Sequence, residues 1–565
     1  MTQHSSEASP AELSPTKGAS QTSSDPTGGP GASNARLSIV SVLIAMAVGA
    51  CFYWISTPQT LDFLQWVVWV PLFRQLKGQS ARHDFLLGWV AGTGLNVAGF
   101  HWIVHTISVF SNLPLPVAVL CMLLFALWGG LPYGMYAVML PRLRSRFGSL
   151  ALLLGPMSFV AIEYVFPLLF PYHQGDLQFR NLPIFQVASL LGIAGVSFLV
   201  MAVNQMWLEL IDAQRGRRPW PTVAAPLLAA VLVACMVWGG ARVKSVEAGM
   251  QAGPQVKIGL IQGNYGVAEL RRTTAEAVFE RYTRLSQEAV AKGASLVIWG
   301  EGASPYAPWH KERSEALKAL AASLQMDFLF GSGGRNKVNG EVLHYNSAYA
   351  LPLGATDYQR YDKNVPLAFG EYIPGAKTFP WLKKAIKGPG DFAAGEGGAI
   401  FQFPSRPLPV TRAAEGKPAG QTPEVRAMPM ICYEAILDEY VLKYARQYEP
   451  NLLVNITHDA WFGDTACPHQ FLMLVSTRAV EHGTSVARVA NTGISAVVDP
   501  TGRIRGQTPV FQTVAAVENV FLQRFPTLFD RLGQSFSVLC TLVACACILL
   551  LRRPQVHPVP QGEGP

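Results

Sequence analysis

Three short segments carry residue types that together could perform nucleophilic acyl transfer. Leu296-Val297-Ile298-Trp299-Gly300-Glu301 ends an apolar run on a carboxylate. Tyr361-Asp362-Lys363 supplies a cation and leads into Phe369-Gly370-Glu371-Tyr372-Ile373-Pro374. Met428-Pro429-Met430-Ile431-Cys432-Tyr433-Glu434 ends a further apolar run on a thiol. A side chain at a strand end projects from a rigid sheet into a cleft, which suits catalysis. A free thiol titrates at about 8.5, so a nearby ammonium and a base are needed to populate thiolate at neutral pH. A tetrahedral intermediate carries an oxyanion, which a fixed ammonium such as Lys363 and the Tyr433 backbone N–H could stabilise. Singly, each segment is weak: a Glu after a strand is more often solvated, and a Cys in an apolar run is more often core. It is the set of base, cation and thiol that points to chemistry.

These segments need a sheet to hold them, and residues 241–530 have the composition of a globular domain. Val256–Ile261, Leu296–Trp299, Phe328–Gly331, Ala427–Ile431, Leu452–Ile456 and Ser495–Val498 read as short apolar strands. Helical patterns lie between, at about 274–292 and 312–325. That alternation predicts an α/β domain with a largely buried sheet. Gly331-Ser332-Gly333-Gly334 reads as a turn; no Gly-Lys-Ser/Thr follows, so it is not a phosphate loop. His458, Cys467 and His469 lack a spacing that would converge three or four metal ligands, so neither a metal nor any other cofactor is expected. Of the eight cysteines, six lie inside apolar runs, leaving Cys432 and Cys467. A disulfide between those two would block the thiol, so Cys467 reads as structural or as a neighbour of the cleft.

The rest of the chain is of another kind. Hydrophobic residues make up 50% of the 565 and charged residues only 15%, with a mean hydropathy of +0.23. Soluble domains carry about 25% charged residues, so an ordinary cytosolic enzyme is excluded. The net charge of +8 is not a nucleic-acid signal, because the basic residues sit in small clusters between apolar runs. Seven apolar stretches occupy roughly 37–56, 59–75, 83–107, 114–140, 149–170, 183–211 and 222–240, and an eighth lies near 533–551. Several reach the ~20 apolar residues that cross a bilayer core; the second is short and weak. Basic clusters follow the second (Arg74, Lys77, Arg82), fourth (Arg142, Arg144, Arg146) and sixth (Arg215, Arg217, Arg218) stretches. The intervening loops are nearly free of Lys and Arg, with Arg180 the exception. By the positive-inside rule, both termini are cytoplasmic and the domain between spans seven and eight lies outside.

The expected organisation is thus a tail at 1–35 too poor in large apolar groups to fold, a bundle at 36–240, the α/β domain at 241–530, a last helix at 531–553 and a short tail at 554–565. Glu163, about midway along the fifth stretch, is an intramembrane carboxylate for which a hydrogen bond facing the bundle is the plainer account. His101, Trp102 and His105 fall near the outer end of the third, where Trp commonly anchors at the interface; lining a lipid entry is the sharper alternative.

The ordered set Glu301, Lys363, Cys432 resembles the nitrilase (carbon–nitrogen hydrolase) superfamily. Its surroundings narrow the resemblance to the apolipoprotein N-acyltransferase branch. These are Tyr-Asp-Lys with Phe-Gly-Glu-Tyr-Ile-Pro, Ile-Cys-Tyr-Glu, Asn455-Ile456-Thr457-His458-Asp459-Ala460-Trp461-Phe462-Gly463 and Asn491-Thr492-Gly493-Ile494-Ser495. The likeness covers about residues 37–551. It implies a membrane bundle of about eight helices joined to a nitrilase-like αββα sandwich, in the bacterial inner membrane. Cys432 is then implied as the nucleophile that holds an acyl thioester, Glu301 as general base, and Lys363 as the group beside the carbonyl oxygen. Glu371 and Glu434 match further carboxylates of the family, though ion pairing that holds Lys363 and the Cys432 segment explains them equally well. The implied partners are a phospholipid acyl donor and a diacylglyceryl-modified apolipoprotein acceptor. Three positions depart from the family's usual pattern. Gly300 stands for Pro, His458 stands for Asn, and Arg271-Arg272 rather than a Lys-Trp pair follow Gln262-Gly263-Asn264.

Two readings of function share this triad. In the first, an amine attacks the thioester; in the alternative, a membrane-tethered carbon–nitrogen hydrolase lets water attack. A full helix bundle favours lipid substrates, since a tether needs one span. A non-catalytic scaffold is disfavoured by the intact triad.

Overall fold

The computed structural model describes residues 37–552 except 79, 112, 267–268, 270–271, 377, 382–390 and 408–420. The tails expected at 1–35 and 554–565, and Arg271, lie outside the described residues.

Two six-stranded sheets form the centre of the domain. The first contains β1 (Gln255–Gln262), β2 (Leu296–Trp299), β3 (Asp327–Val338), β4 (Glu341–Leu351) and β5 (Gln359–Asp362). The second begins with β6 (Phe401–Phe403). A small ribbon, β7 (Arg406–Pro407) with β8 (Gln421–Thr422), precedes its remaining strands: β9 (Val425–Ile431), β10 (Leu452–Thr457), β11 (Ser485–Ala490), β12 (Ala496–Val498) and β13 (Ile504–Arg505). β14 (Val514–Phe521) returns to the first sheet, giving the orders β14-β1-β2-β3-β4-β5 and β13-β12-β11-β10-β9-β6. Pairing is parallel through β1-β2-β3 and β9-β10-β11 and antiparallel towards the edges.

Alternation along the strands explains the layering. Ile258, Leu260, Ile298 and Leu329 meet Ile431, Val454, Ile456 and Val489 between the sheets. Ile261, Val297, Phe328 and Phe330 point the other way, under Val278, Tyr282 and Leu285 of the helix Ala275–Ala291 and Leu317 of Lys311–Ser323. Met428, Met430 and Leu453 face Val441 of Asp438–Tyr448 and Leu472 and Val475 of Cys467–His482. The result is a four-layer αββα sandwich.

The expected turn at Gly331–Gly334 is instead the middle of β3. Those glycines permit close approach rather than reversal. A Cβ on Gly331 would lie 2.6 Å from the Gly300 carbonyl oxygen and 2.7 Å from Glu301 Cα, and one on Gly334 would lie 2.1 Å from Ser347 Oγ.

Helices surround one side of the sandwich. Leu115–Val165, Ile193–Gln214 and Ala224–Ala252 are long and apolar enough to cross a membrane, and shorter apolar helices occupy Ile39–Ile55, Asp62–Phe73, Leu182–Leu191 and Ser535–Leu551. The weak second stretch is not one continuous helix. It breaks into a 3₁₀ turn at Asp62–Trp66 and a short helix at Val70–Phe73. Asn204 bridges the break, accepting from Trp69 N at 3.0 Å and donating to the Gln65 carbonyl at 2.8 Å. The segment nonetheless returns to the start of the first helix, where Ser41 Oγ donates to Gln75 Oε1 at 3.1 Å. The helix Ala224–Ala252 runs unbroken past residue 240, and β1 follows at Gln255. At the other end of the chain, Cys540 and Ala544 of Ser535–Leu551 pack on Met157, Val160 and Ala161.

The bundle has two unlike ends. Away from the sandwich, Asp84 accepts from the Lys77 and Gly78 amides and lies 3.7 Å from Arg142. At the same end, Arg144 pairs with Glu209 and Asp212 at 2.6 Å, and Arg218 with Glu209 at 3.1 Å. Against the sandwich, many contacts are hydrogen bonds between buried partners. Trp102 Nε1 donates to Gln470 Oε1 at 2.9 Å, Gln186 Nε2 to the Thr501 carbonyl at 2.9 Å, Thr477 Oγ1 to Asp176 at 2.6 Å and Ile193 N to Glu481 Oε1 at 2.9 Å. Trp102 is therefore a docking residue, 1% exposed, rather than an interfacial anchor. Glu163 is not midway along its helix either: Ala151–Val165 ends two residues later, and Glu163 receives Gln174 N at 2.8 Å.

Candidate active site

Glu301 follows β2, Lys363 follows β5 and Cys432 follows β9, so the first sheet supplies the carboxylate and the ammonium, and the second the thiol. β2 is buried throughout, which fixes the strand end that aims Glu301. Lys363 is seated by its own backbone, its amide donating to the Asn346 carbonyl at 2.8 Å. Cys432 has φ +53°, a left-handed conformation unusual for a residue with a side chain, at the junction of β9 with the 3₁₀ turn Cys432–Ile436. Glu434 holds that junction. Its Oε2 receives Ile431 N at 2.8 Å, and its Oε1 receives the Tyr361 hydroxyl and Asn364 N, both at 2.7 Å. One carboxylate thus ties the thiol's elbow on the second sheet to the Lys363 segment on the first.

Lys363 is 2% exposed and lies 2.6 Å from Glu371 and 3.7 Å from Glu301. Asn346, in the middle of β4, bridges the same two carboxylates, its Nδ2 donating to Glu301 at 2.5 Å and Glu371 at 2.8 Å. Burial works against the Lys363 ammonium, but Glu301, Cys432 and Glu371 outweigh it and hold its pKa above the usual lysine range. Burial raises the Glu301 carboxyl above its ordinary value against the pull of Lys363, with Glu371 adding to the rise. Burial and the Glu301 charge push the Cys432 thiol up to about 12, despite Lys363 and the Thr457 hydroxyl. Burial also lifts Glu434 to about 7, opposed by the Ile431 amide and Lys363. At rest the site therefore holds a neutral thiol beside a carboxylate able to take its proton and an ammonium able to meet negative charge.

All six residues singled out in the sequence lie in this region: Glu301, Lys363, Cys432, Glu371 and Glu434 in the polar cluster, and Tyr433 at its edge. Tyr433 turns its side chain to the bundle. Its hydroxyl donates to the Leu169 carbonyl at 2.5 Å, and its ring meets Phe170 edge-on at 6.0 Å. Phe170 in turn packs on Trp102 and Phe471, and these rings line an apolar cleft with Leu95, Phe100 and Leu474. Asn346, Thr457 and Asn455, whose Nδ2 donates to the Cys432 carbonyl at 3.2 Å, went unassigned in the sequence. An Asn or Thr inside a strand has no signal of its own; only the Asn-Ile-Thr wording of the family motif marked two of them.

His458 lies beside the cluster, its Nε2 3.1 Å from Asn491 Nδ2, and burial lowers its imidazole pKa. Next to it Asp459 pairs with the buried Arg488 at 2.7 Å, and Gly493 leaves room for it, since a Cβ there would lie 2.0 Å from Asp459 Oδ2. Cys432 and Cys467 are both free thiols. Among the described residues no group of three or more His, Cys, Asp or Glu could hold a metal ion.

The sequence pattern of the apolipoprotein N-acyltransferase N-terminal domain matches residues 48–206, and that of carbon-nitrogen hydrolase matches residues 257–520. An apolipoprotein N-acyltransferase of Geobacter metallireducens is 32% identical over 505 residues, covering 87% of this chain and 92% of the relative. The chain belongs to the apolipoprotein N-acyltransferase family. Relatives with the same name from Bdellovibrio bacteriovorus (28% identity, 80% of this chain and 83% of the relative) and Rhodopseudomonas palustris (28%, 83% and 86%) span both bundle and sandwich. In this family member the two matched regions meet at Tyr433 and Phe170.

Proposed function

We propose that the protein moves a fatty acyl group from a membrane phospholipid to the α-amine of the S-diacylglyceryl cysteine that begins an apolipoprotein. Acyl transfer follows from family membership, and the observation that supports lipid substrates is the Tyr433–Phe170 contact. It puts an apolar cleft of the bundle beside the residue next to the thiol.

Cys432 Sγ attacks the donor's ester carbonyl while Glu301 takes the thiol proton. The oxyanion is met by the Lys363 ammonium and the Tyr433 backbone N–H. As the C–O bond breaks, Glu301 returns the proton to the departing oxygen, leaving a lysophospholipid and a thioester on Cys432. The acceptor amine then attacks the thioester, gives its proton through Glu301 to the departing sulfur, and leaves as an amide. Glu371 and Asn346 keep Glu301 and Lys363 apart, and Glu434 keeps the elbow in place. The donor ester already stores the reactive acyl group, so no cofactor is called for.

The bundle would cross the inner membrane eight times, the broken segment 59–75 included. The proposed boundaries are a cytoplasmic tail at 1–35, a bundle at 36–240, the catalytic domain at 241–530 outside, a last span at 531–553 and a cytoplasmic tail at 554–565. The charged clusters at the end away from the sandwich support that orientation by the positive-inside rule.

The test is single-turnover chemistry. Purified full-length protein given phospholipid without acceptor should accumulate a hydroxylamine-sensitive thioester on Cys432, and a diacylglyceryl lipopeptide should discharge it to amide. Free fatty acid without acceptor, no adduct, and no response to the lipopeptide would establish the hydrolase instead.

A further inference from the structure

Arg180 breaks the charge pattern of the loops: it is a lone arginine on the side where the others are nearly free of basic residues. The structure shows what it faces. An open groove of about 450 Å³, between the sandwich and the near end of the bundle, is lined by Arg180, Arg503, His469, Gln507, Leu182 and Ile504 among others. Arg180 is clamped. Its Nη1 donates to the Gln59 carbonyl at 2.9 Å, and its Nη2 lies 3.3 Å from Thr57 Oγ1 and 3.4 Å from the Pro58 carbonyl. Those partners, two carbonyls and a hydroxyl, orient the guanidinium without neutralising it. Arg503 pairs with Glu247 at 2.8 Å, but both are substantially exposed, and solvent-exposed pairs are weak and exchange readily. Burial and the nearby Arg180 charge lower the His469 pKa despite Asp464, so at neutral pH it offers a neutral ring.

The chain on either side of the Arg180 clamp is apolar and exposed. Tyr53, Trp54, Leu61 and Phe63 flank the Thr57–Gln59 clamp and are 43%, 52%, 37% and 61% exposed. Amphipathic aromatics collect at headgroup depth, and a fixed guanidinium fork suits phosphate oxygens. On the helix Cys467–His482, His469 and Leu472 face this groove, whereas Gln470, Phe471 and Leu474 line the apolar cleft that leads to Tyr433. The groove and the cleft thus lie on different faces of one helix.

We propose that this groove binds the phosphate of a phospholipid headgroup in the adjoining leaflet, at a site separate from Cys432. A lipid there would sit with its phosphodiester between Arg180 and Arg503 and its chains along the Trp54–Phe63 rim. Binding requires no turnover, so it stands or falls apart from the acyl-transfer reading.

The experiment titrates the full-length protein in detergent with a diether phosphatidylglycerol, which has no ester to transfer, and counts bound lipid by native mass spectrometry. The wild type should hold one more such lipid than R180Q/R503Q, whose binding at this site should be weaker by roughly tenfold or more. The diether glycerol lacking phosphate should not fill the site, and inorganic phosphate in excess should not displace the phospholipid. Arg503→Gln alone leaves the Arg180 clamp intact and should weaken binding severalfold, which covers the case in which the double variant does not fold. Undiminished binding in these variants would overturn the proposal, as would equal binding of the phosphate-free lipid. Displacement by inorganic phosphate would make it a free-anion site and overturn the lipid assignment.

Discussion

The helix Ala275–Ala291, on the first sheet, and Cys467–His482, on the second, occupy equivalent layers of the sandwich and are built to opposite rules. Ala275–Ala291 buries five of its 17 residues and leaves the rest to solvent. Cys467–His482 buries every residue except His469, including Thr477, Arg478, Glu481 and His482. The difference is the bundle, which covers the second helix's outer face and supplies Gly99, Trp102, Asp176 and Ile193 as partners. The catalytic groups divide the same way. The proposed base Glu301 and cation Lys363 belong to the half whose helix layer faces solvent, the proposed nucleophile Cys432 to the half covered by the bundle.

Five substitutions would sharpen or break that division. Cys432→Ala should remove all measurable transfer while the protein stays folded, because a methyl at a strand end opens no large cavity; lipopeptide mass after incubation reads the outcome. Glu301→Gln should cost about 10²–10⁴-fold in kcat, since an amide of the same shape cannot accept the proton. The wild-type profile should lose activity as pH falls through a value above the ordinary carboxylate range, because burial raises Glu301 and its ionised form is the active one. Asn346→Ala should cost about 10-fold or more. It should also move that acid limb to higher pH, since the Asn346 hydrogen bond lowers the Glu301 pKa. Nearer the lipid side, Phe471→Ala and, on the solvent side, Leu317→Ala should each cost about 2–5 kcal/mol of stability. Only the Phe471 change should raise the apparent KM for phospholipid; an equal KM effect from Leu317→Ala would break the division between the halves.

The sequence made the strand ends legible because an apolar run that stops on Glu or Cys is a local pattern, and Glu301 and Cys432 are both found there. Helices expected at 274–292 and 312–325 occupy Ala275–Ala291 and Lys311–Ser323. What it hid was non-local. β11 has Arg488 at its centre, which interrupts an apolar reading, yet the residue is fully buried because Asp459 and Asn455 neutralise and bond it. Asn346 gains its role only when β4 lies beside β5, and β4 is too polar in its first half to read as a strand. The glycines of β3 look like a turn until Gly300 and Glu301 are placed against them. Within the bundle, Gln65 helps make the segment 59–75 a weak apolar stretch in sequence, and its partners Gln174, Gln178 and Asn204 lie far along the chain. They bond to one another across it, with Gln178 Nε2 donating to Gln65 Oε1 at 2.7 Å.

The hydrogen bond from Ile193 N to Glu481 joins residues 288 positions apart and fills the first amide of the helix Ile193–Gln214. The opening amides of a helix have no partner within it. In the nascent chain that helix is made long before β10 and β11 exist to carry the loop and helix that present Glu481. The amide of Ile193 therefore stays unpaired until the sandwich closes onto helices made before it. Asp176 waits in the same way for Thr477. A sandwich released by proteolysis would present Arg478 and Glu481 to water without the surface they were buried against, so the catalytic half is finished by the membrane half and not merely tethered to it.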